Sequence, residues 1–271
     1  MPEQEKEYLF GTNEPELQRL KFQHEVWRPM TDPFLQRLGI QKGWKCMDAG
    51  AGPGFVAMDL RDTIGDEGEL TILEPSTFYI NSFRAFAEEK NWTNIKYIQG
   101  IVEESNLPEN YYDLIFSRWV ISFVPDPERF VSKLAAALKP GGILAIEDYN
   151  YDGLGLFPMG GAWDEMPSIM KRYYKSGEGD PYVASKLPGI YRKCGLELIE
   201  FKPFSMAGGP TSGVMEWAHR FFTIHVPVMV ERGLITSEQG EALSNDWQAH
   251  RENPDAVFFS PVIVDAAGKK L

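Results

Sequence analysis

The residues best placed to do chemistry stand in the segment KCMDAGAGPGF, where Asp48 closes an apolar run and Gly50, Gly52 and Gly54 alternate into a helical pattern. Glycines in that order let the chain turn sharply and bring backbone N–H groups against an anion, and the dipole of the following helix favours negative charge at its start. A carboxylate suits that position. The order is G-x-G-x-G rather than the G-x-G-x-x-G of a dinucleotide fingerprint, which leaves less room for a pyrophosphate and counts against a nicotinamide oxidoreductase. Taken singly, such a loop leaves a plain strand-to-helix turn as the lesser alternative. Glu74 narrows the choice. It ends the apolar run LTILE twenty residues past Gly54, and a strand-end carboxylate can accept hydrogen bonds from both hydroxyls of a ribose. A merely solvated charge would not explain an acid at the end of an apolar strand at this interval.

Groups able to move a proton are fewer. Of the histidines His24, His219, His225 and His250, two fall in the run MEWAHRFFTIHVP. A helical aromatic stripe of that kind packs more often than it reacts, so His225 stands only as a weak candidate base. Tyr149, after the fifth apolar run, is a second one by topology. A base is required only when the acceptor must first lose a proton. Asp148 and Asn150 share a spacing common in loops, and Cys46 and Cys194 are too few for a thiolate site, so no metal is expected.

Short apolar runs alternate with helical patterns from Lys45 onward: KCMDAG, FVAMDLRDTI, LTILEP, TFYINSFRAFAEEK, IKYIQG, DLIFSR, PERFVSKLAAALK and GGILAIED. This rhythm implies a doubly wound α/β fold, a mainly parallel seven-stranded sheet with helices on both faces and ligands at the strands' carboxyl ends. Ser76 suits an N-cap, Pro127 a first helical turn, and Pro140-Gly141-Gly142 the start of the fifth strand. Before the sheet, EPELQRLKFQHEVWRP reads as an amphipathic helix ending before Pro29. The expected organisation is an N-terminal lid helix over 1–30, an α/β core over 31–202, a helical cap inserted over 203–257, and a closing strand over 258–271.

Through DAGAGPG, Glu74, GIVEESNLPENYYDLIFSRW and LKPGGILAIED the chain resembles the class I S-adenosylmethionine-dependent methyltransferases. The resemblance implies that Gly50, Gly52 and Gly54 hold the methionine part of the cofactor, that Asp48 orients the loop or the amino group, and that Glu74 holds the ribose, with Pro75 beside it also against the cofactor. It places Val102 and Glu103 at the adenine, and Ser117, Arg118 and Trp119 near the sulfonium. Many relatives carry Asp where Ile101 stands, so the adenine amino group must be met by Glu103, by backbone carbonyls, or not at all. The segment YLFGTNEPELQRLKFQ is similar to a subgroup of small-molecule methyltransferases whose leading helix closes over the cofactor, which implies roles for Tyr8, Arg19 and Gln23. The likeness extends through GDPYVASKLPGIYRKCG and FFSPVIVDAAGKK, close to the full chain. A nonenzymatic protein that binds S-adenosylmethionine or serves assembly is the main rival.

Composition sets the outer limits. The chain has 271 residues, 43% hydrophobic and 24% charged, as in a globular protein, and its net charge of −12 disfavours nucleic acid. MPEQEKEYLF lacks a basic region followed by an apolar one and no apolar run approaches the length of a membrane span, so neither secretion nor insertion is expected, and a cytoplasmic monomer or homodimer is. The aromatic residues beyond position 150 fit an apolar or aromatic small-molecule acceptor, methylated by in-line displacement.

Overall fold

The computed structural model describes residues 13–271, so Tyr8 lies outside the described residues. In chain order the elements are α1 (Glu14–Arg37), β1 (Lys45–Ala49), α2 (Phe55–Ile64), β2 (Glu69–Glu74), α3 (Thr77–Glu89), β3 (Ile95–Gln99), β4 (Tyr112–Arg118), α4 (Pro127–Ala137) and β5 (Leu138–Asn150). Then follow β6 (Gly155–Phe157), α5 (Met166–Ser176), α6 (Val183–Lys193), β7 (Leu196–Phe204), β8 (Ala207–Gly208), α7 (Gly213–Glu231), α8 (Ser237–Glu252), β9 (Val257–Phe259) and β10 (Val262–Lys270).

Seven strands form one sheet in the order β3-β2-β1-β4-β5-β10-β7. Its first five are parallel, and β10 runs antiparallel between β5 and β7. The expected doubly wound architecture is the one observed. Strand order reverses between β1 and β4, so their carboxyl ends leave a crevice there. Leu60, Phe83 and Phe34 pack on one face of the sheet, and Phe130, Leu134, Leu187 and Tyr191 on the other.

The first helix is longer than its sequence implies. It is capped by Asn13, whose side chain accepts from the Glu16 N–H, and it runs through Pro29 and Pro33 to Arg37. Proline removes one helical hydrogen bond and crowds the preceding turn. Here tertiary packing overrides that cost: Trp27 and Phe34 are fully buried, and Thr31 donates to the Glu147 carboxylate in β5 at 3.0 Å.

A third cluster covers the carboxyl edge of the sheet. It joins Leu154, Trp163, Met166 and Tyr173 to Trp217, Phe222 and Trp247 of α7 and α8. Residues within the span expected as core therefore pack with the helices of the expected cap. Phe258 belongs to a second, three-stranded sheet in the order β6-β9-β8, and the strand closing the main sheet begins at Val262.

Candidate active site

At the switch point between β1 and β4 a cavity of about 450 Å³ opens. Of the residues singled out from sequence, Gln23, Asp48, Gly50, Gly52, Glu74, Pro75, Val102, Glu103 and Arg118 line it. Gly54 and Ser117 do not. A Cβ at Gly54 would meet the Phe83 ring at 2.2 Å, so this glycine serves helix-to-helix packing. Ser117 is fully buried and donates to the Ala49 carbonyl at 2.8 Å, tying β4 to β1.

The loop after β1 adopts left-handed backbone at all three glycines, with φ of +75°, +54° and +81°. Its N–H groups, however, are turned inward. Those of Gly50 and Ala51 both bond the Leu73 carbonyl, at 2.8 and 3.1 Å, and that of Gly54 bonds Ala51 at 2.9 Å. The Gly52 N–H bonds Glu74 Oε2 at 2.8 Å. The expectation that these amides cradle an anion is thereby corrected, since each already has an acceptor. What the loop offers is close approach: a Cβ at Gly52 would find no atom within 4 Å, whereas one at Gly50 would strike Val120 at 2.4 Å.

Glu74 is only 7% exposed, so it is no solvated strand-end charge. Its carboxylate accepts from Gly52 N at 2.8 Å and from Ser76 N at 2.9 Å, one bond per oxygen. Each oxygen keeps a lone pair for a further donor. Burial pushes its pKa up to about 7 against those two bonds. Asp48 is likewise raised to about 7 by burial, opposed by the Arg118 charge and an Ala57 N–H bond.

Arg118 anchors the floor. It donates to Thr31 at 3.0 Å and meets His24 Nδ1 at 3.1 Å, while His24 Nε2 faces Asp59 at 3.3 Å. Burial works against the guanidinium charge, and Glu147, Asp48 and Asp59 sustain it. Behind Arg118, Glu147 and Asp265 occupy paired positions on β5 and β10. Burial raises both carboxyls, with Asp148 adding to the rise at Glu147 and Glu147 to that at Asp265, and Arg37 bonds Asp265 at 2.8 Å.

Beyond this cavity lies a second, of about 30 Å³, lined by nine aromatic rings: Trp119, Phe123, Tyr149, Tyr151, Tyr174, Trp217, Phe221, Phe222 and Phe258. Arg19 and Gln23 supply its polar edge. Gln23, Trp119 and Phe123 border both cavities. Arg19 bonds both oxygens of Glu16 at 2.8 Å and donates to Gln23 Oε1 at 2.9 Å. Trp119 has φ of +56°, a conformation that bulky side chains seldom adopt outside functional sites. Its ring stacks on Tyr149 at 5.8 Å.

Tyr149 thus borders the second cavity, whereas His225 does not line either one. His225 is 1% exposed, sits 4.2 Å from the Phe221 ring centroid, and is pushed down to about 3 by burial and by Arg19 and Arg232. Asp148 accepts from Tyr149 N at 2.7 Å and Ser122 N at 3.3 Å, and Asn150 turns to Ser185. Among the described residues no cluster of three or more metal-binding side chains occurs.

Tyr79 escaped the reading of the sequence. It lines the first cavity, is 2% exposed, and its buried hydroxyl meets no acceptor among the described residues. Only its place in the first turn after Glu74 hinted at it.

The chain is similar to known methyltransferases. Residues 47–146 match the family model described as a methyltransferase domain. The chain is 24% identical over 199 residues to the ubiquinone/menaquinone biosynthesis C-methyltransferase of Psychromonas ingrahamii, covering 69% of this chain and 77% of that protein. It is 25% identical over 209 residues to the demethylmenaquinone methyltransferase of Bacillus licheniformis, covering 72% and 86%. The crystal structure of a putative methyltransferase from Bacillus halodurans superposes with a TM-score of 0.63 at 18% identity, over 89% of this chain and 98% of that one. The glycine turn, the buried acid after β2 and the antiparallel β10 are all in their places, and together with the methyltransferase domain over residues 47–146 they support a class I S-adenosylmethionine-dependent methyltransferase.

Proposed function

We propose that the larger cavity holds S-adenosylmethionine and that a flat, apolar or aromatic small molecule receives the methyl group against the aromatic residues at its edge. The observation that carries this reading is the shared border at Gln23, Trp119 and Phe123. An aromatic wall at the edge of the cofactor cavity argues against a protein that only binds the cofactor.

In this assignment Glu74 accepts from the two ribose hydroxyls with the lone pairs that Gly52 and Ser76 leave free, and the Tyr79 hydroxyl finds its partner on the bound molecule. Asp48 faces the methionine amino group, balanced by Arg118. Pro75 and Val102 flank the adenine. The Glu103 side chain is offered to the adenine amino group, because the Glu103 carbonyl is engaged by Arg129 at 3.2 Å and Lys133 at 3.0 Å. Gly52 permits close approach, and Arg19, through Glu16, holds the shared border in shape.

The sulfonium supplies an electrophilic methyl group. The chain's own work is to orient the acceptor and exclude water, which suffices for an in-line displacement. The names of the quinone-biosynthesis relatives support an acceptor of the hydroxylated aromatic or quinol class. The net charge of −12 supports a protein acting apart from nucleic acid and anionic membranes, and we read it as a cytoplasmic monomer or homodimer. Among the described residues no helix is long and apolar enough to cross a membrane.

The test is calorimetry with S-adenosylmethionine and S-adenosylhomocysteine, followed by transfer of labelled methyl to a panel of phenols, quinols, amines and carboxylates. Transfer to phenols or quinols is expected. Transfer confined to aliphatic amines or carboxylates would sink the acceptor assignment.

A further inference from the structure

A row of charged side chains crosses the main sheet beneath α1. Register places Arg118 of β4 beside Glu147 of β5, and Glu147 beside Asp265 of β10. Both carboxyls are buried, and α1 reaches down to each. Glu147 Oε1 accepts from Thr31 at 3.0 Å, Thr31 in turn accepts from Arg118 at 3.0 Å, and Asp265 Oδ2 accepts from Arg37 at 2.8 Å. The second oxygens, Glu147 Oε2 and Asp265 Oδ1, meet no donor among the described residues. The two side chains nevertheless lie within hydrogen-bonding reach of each other. Ionised carboxylates only accept, so a bond between them forms only when one carries a proton.

The surrounding charges point the same way. Arg37 is shared with Glu200 of β7 at 2.6 Å, and Arg118 faces Asp48 of β1 and Asp59 of α2 as well as Glu147. His24 of α1 lies 3.1 Å from Arg118. Asp148 adds negative charge beside Glu147, and Lys202, the next position of the row on β7, is exposed. Neither carboxyl has a cation to itself, and like charges held this close in a buried site do not both ionise at neutral pH. We propose that Glu147 and Asp265 share one proton and act as a positioning pair: their single negative charge holds Arg118 on the floor of the larger cavity, and their common proton ties β5 to β10 where Thr31 and Arg37 fasten α1. The proton belongs to the pair and to neither residue alone.

Infrared spectroscopy of the full chain at pH 7 reads the proton directly, through the carbonyl band of un-ionised carboxyls. In Glu147→Gln or Asp265→Asn an amide takes over the donor's part and the remaining carboxyl ionises, so the net charge is kept. Native-minus-variant spectra are therefore expected to show the same one-carboxyl band for either variant, and the double variant loses no more; un-ionised Asp48 and Glu74 cancel in the subtraction. Losses that add up in the double variant mean two separate acids, and no loss means two carboxylates; either overturns the proposal. If neither variant folds, Arg37→Gln decides: it must move the alkaline titration of the native band to higher pH, and an unmoved titration overturns the proposal. The positioning role is read by calorimetry with S-adenosylhomocysteine, where Glu147→Ala should lose about tenfold in affinity and Glu147→Gln stay within about twofold of native. Equal affinity in Glu147→Ala and native protein overturns that role. This arm rests on the cofactor reading above and the infrared arm does not, so a native protein that shows the band but binds no S-adenosylhomocysteine supports the shared proton while overturning the cofactor reading.

Discussion

The walls of the cofactor cavity and those of the aromatic cavity are made of different material. On the cofactor side the key groups come from the ends of β1 and β2 and are fixed by backbone: Leu73 O, Gly52 N and Ser76 N hold the loop and the Glu74 carboxylate in place. On the other side the walls are rings from the segment after β4 and from β5, α5, α7 and β9, fixed by one another, as in the stacks of Trp119 on Tyr149 at 5.8 Å and of Phe123 on Tyr174 at 4.9 Å. Local hydrogen bonds give a rigid polar floor that suits one constant ligand. Packed side chains from distant segments give a shape that small substitutions can alter, which suits the reactant that differs among methyltransferases.

The contrast breaks if the two regions cannot be perturbed separately. Trp163→Ala removes a buried ring at the heart of the aromatic cluster and should cost about 3–5 kcal/mol of stability. A lowered melting temperature is expected, with S-adenosylhomocysteine affinity retained in the folded fraction. A parallel loss of affinity would show that the cofactor floor depends on the aromatic layer.

Glu74→Ala perturbs the other side. It removes the proposed ribose acceptor and strands the Gly52 and Ser76 N–H groups, so S-adenosylhomocysteine binding should weaken by about 1.5–3 kcal/mol. Unchanged calorimetric affinity would refute the ribose role. With its carboxyl raised to about 7, binding by the native protein should also weaken as pH falls from 8 to 6.

Asp48 sharpens the comparison through stability. Its folded pKa of about 7 lies above the unfolded value near 3.8, so between these limits the native state binds more protons than the unfolded one. Stability therefore falls as pH rises through that window. Asp48→Asn should flatten the dependence and stabilise the ligand-free protein at pH 8 by roughly 1–2 kcal/mol, in denaturant titrations at pH 5 and 8. A steeper fall in the variant would count against a buried, ionising Asp48.

The smallest effect is expected at His225→Phe and Tyr149→Phe. His225 stays neutral throughout the working range, and Tyr149 is fixed by its stack on Trp119, so neither change should add or remove a break in the pH–rate profile. Loss of a true general base would lower the rate by about 10²–10⁴, and that result at either residue would make it the base.

Much of the cofactor side was legible because its determinants are neighbours in the chain. Asp48, Gly50, Gly52, Glu74 and Pro75 sit at strand ends that the alternating pattern locates directly. The same reasoning misjudged what the glycine amides do, since their acceptors lie on β2, a separate strand. Tyr79 was overlooked because an aromatic in a first helical turn is indistinguishable from a core residue until its hydroxyl is seen without a partner. The end of α1 was misplaced at Pro29 because local propensity cannot register the anchoring of Thr31 to Glu147 in β5.

The order of apolar runs, glycines and strand-end acids determined the parallel sheet and its switch point, because each follows from backbone geometry within a few residues, and the cofactor class came from the family resemblance those motifs carry. Tertiary structure alone decided which aromatic rings meet as a second cavity, that Gln23 and Trp119 stand at its mouth, and that His225 is buried away from it. Those facts depend on contacts between segments far apart in the chain, and no local periodicity encodes them.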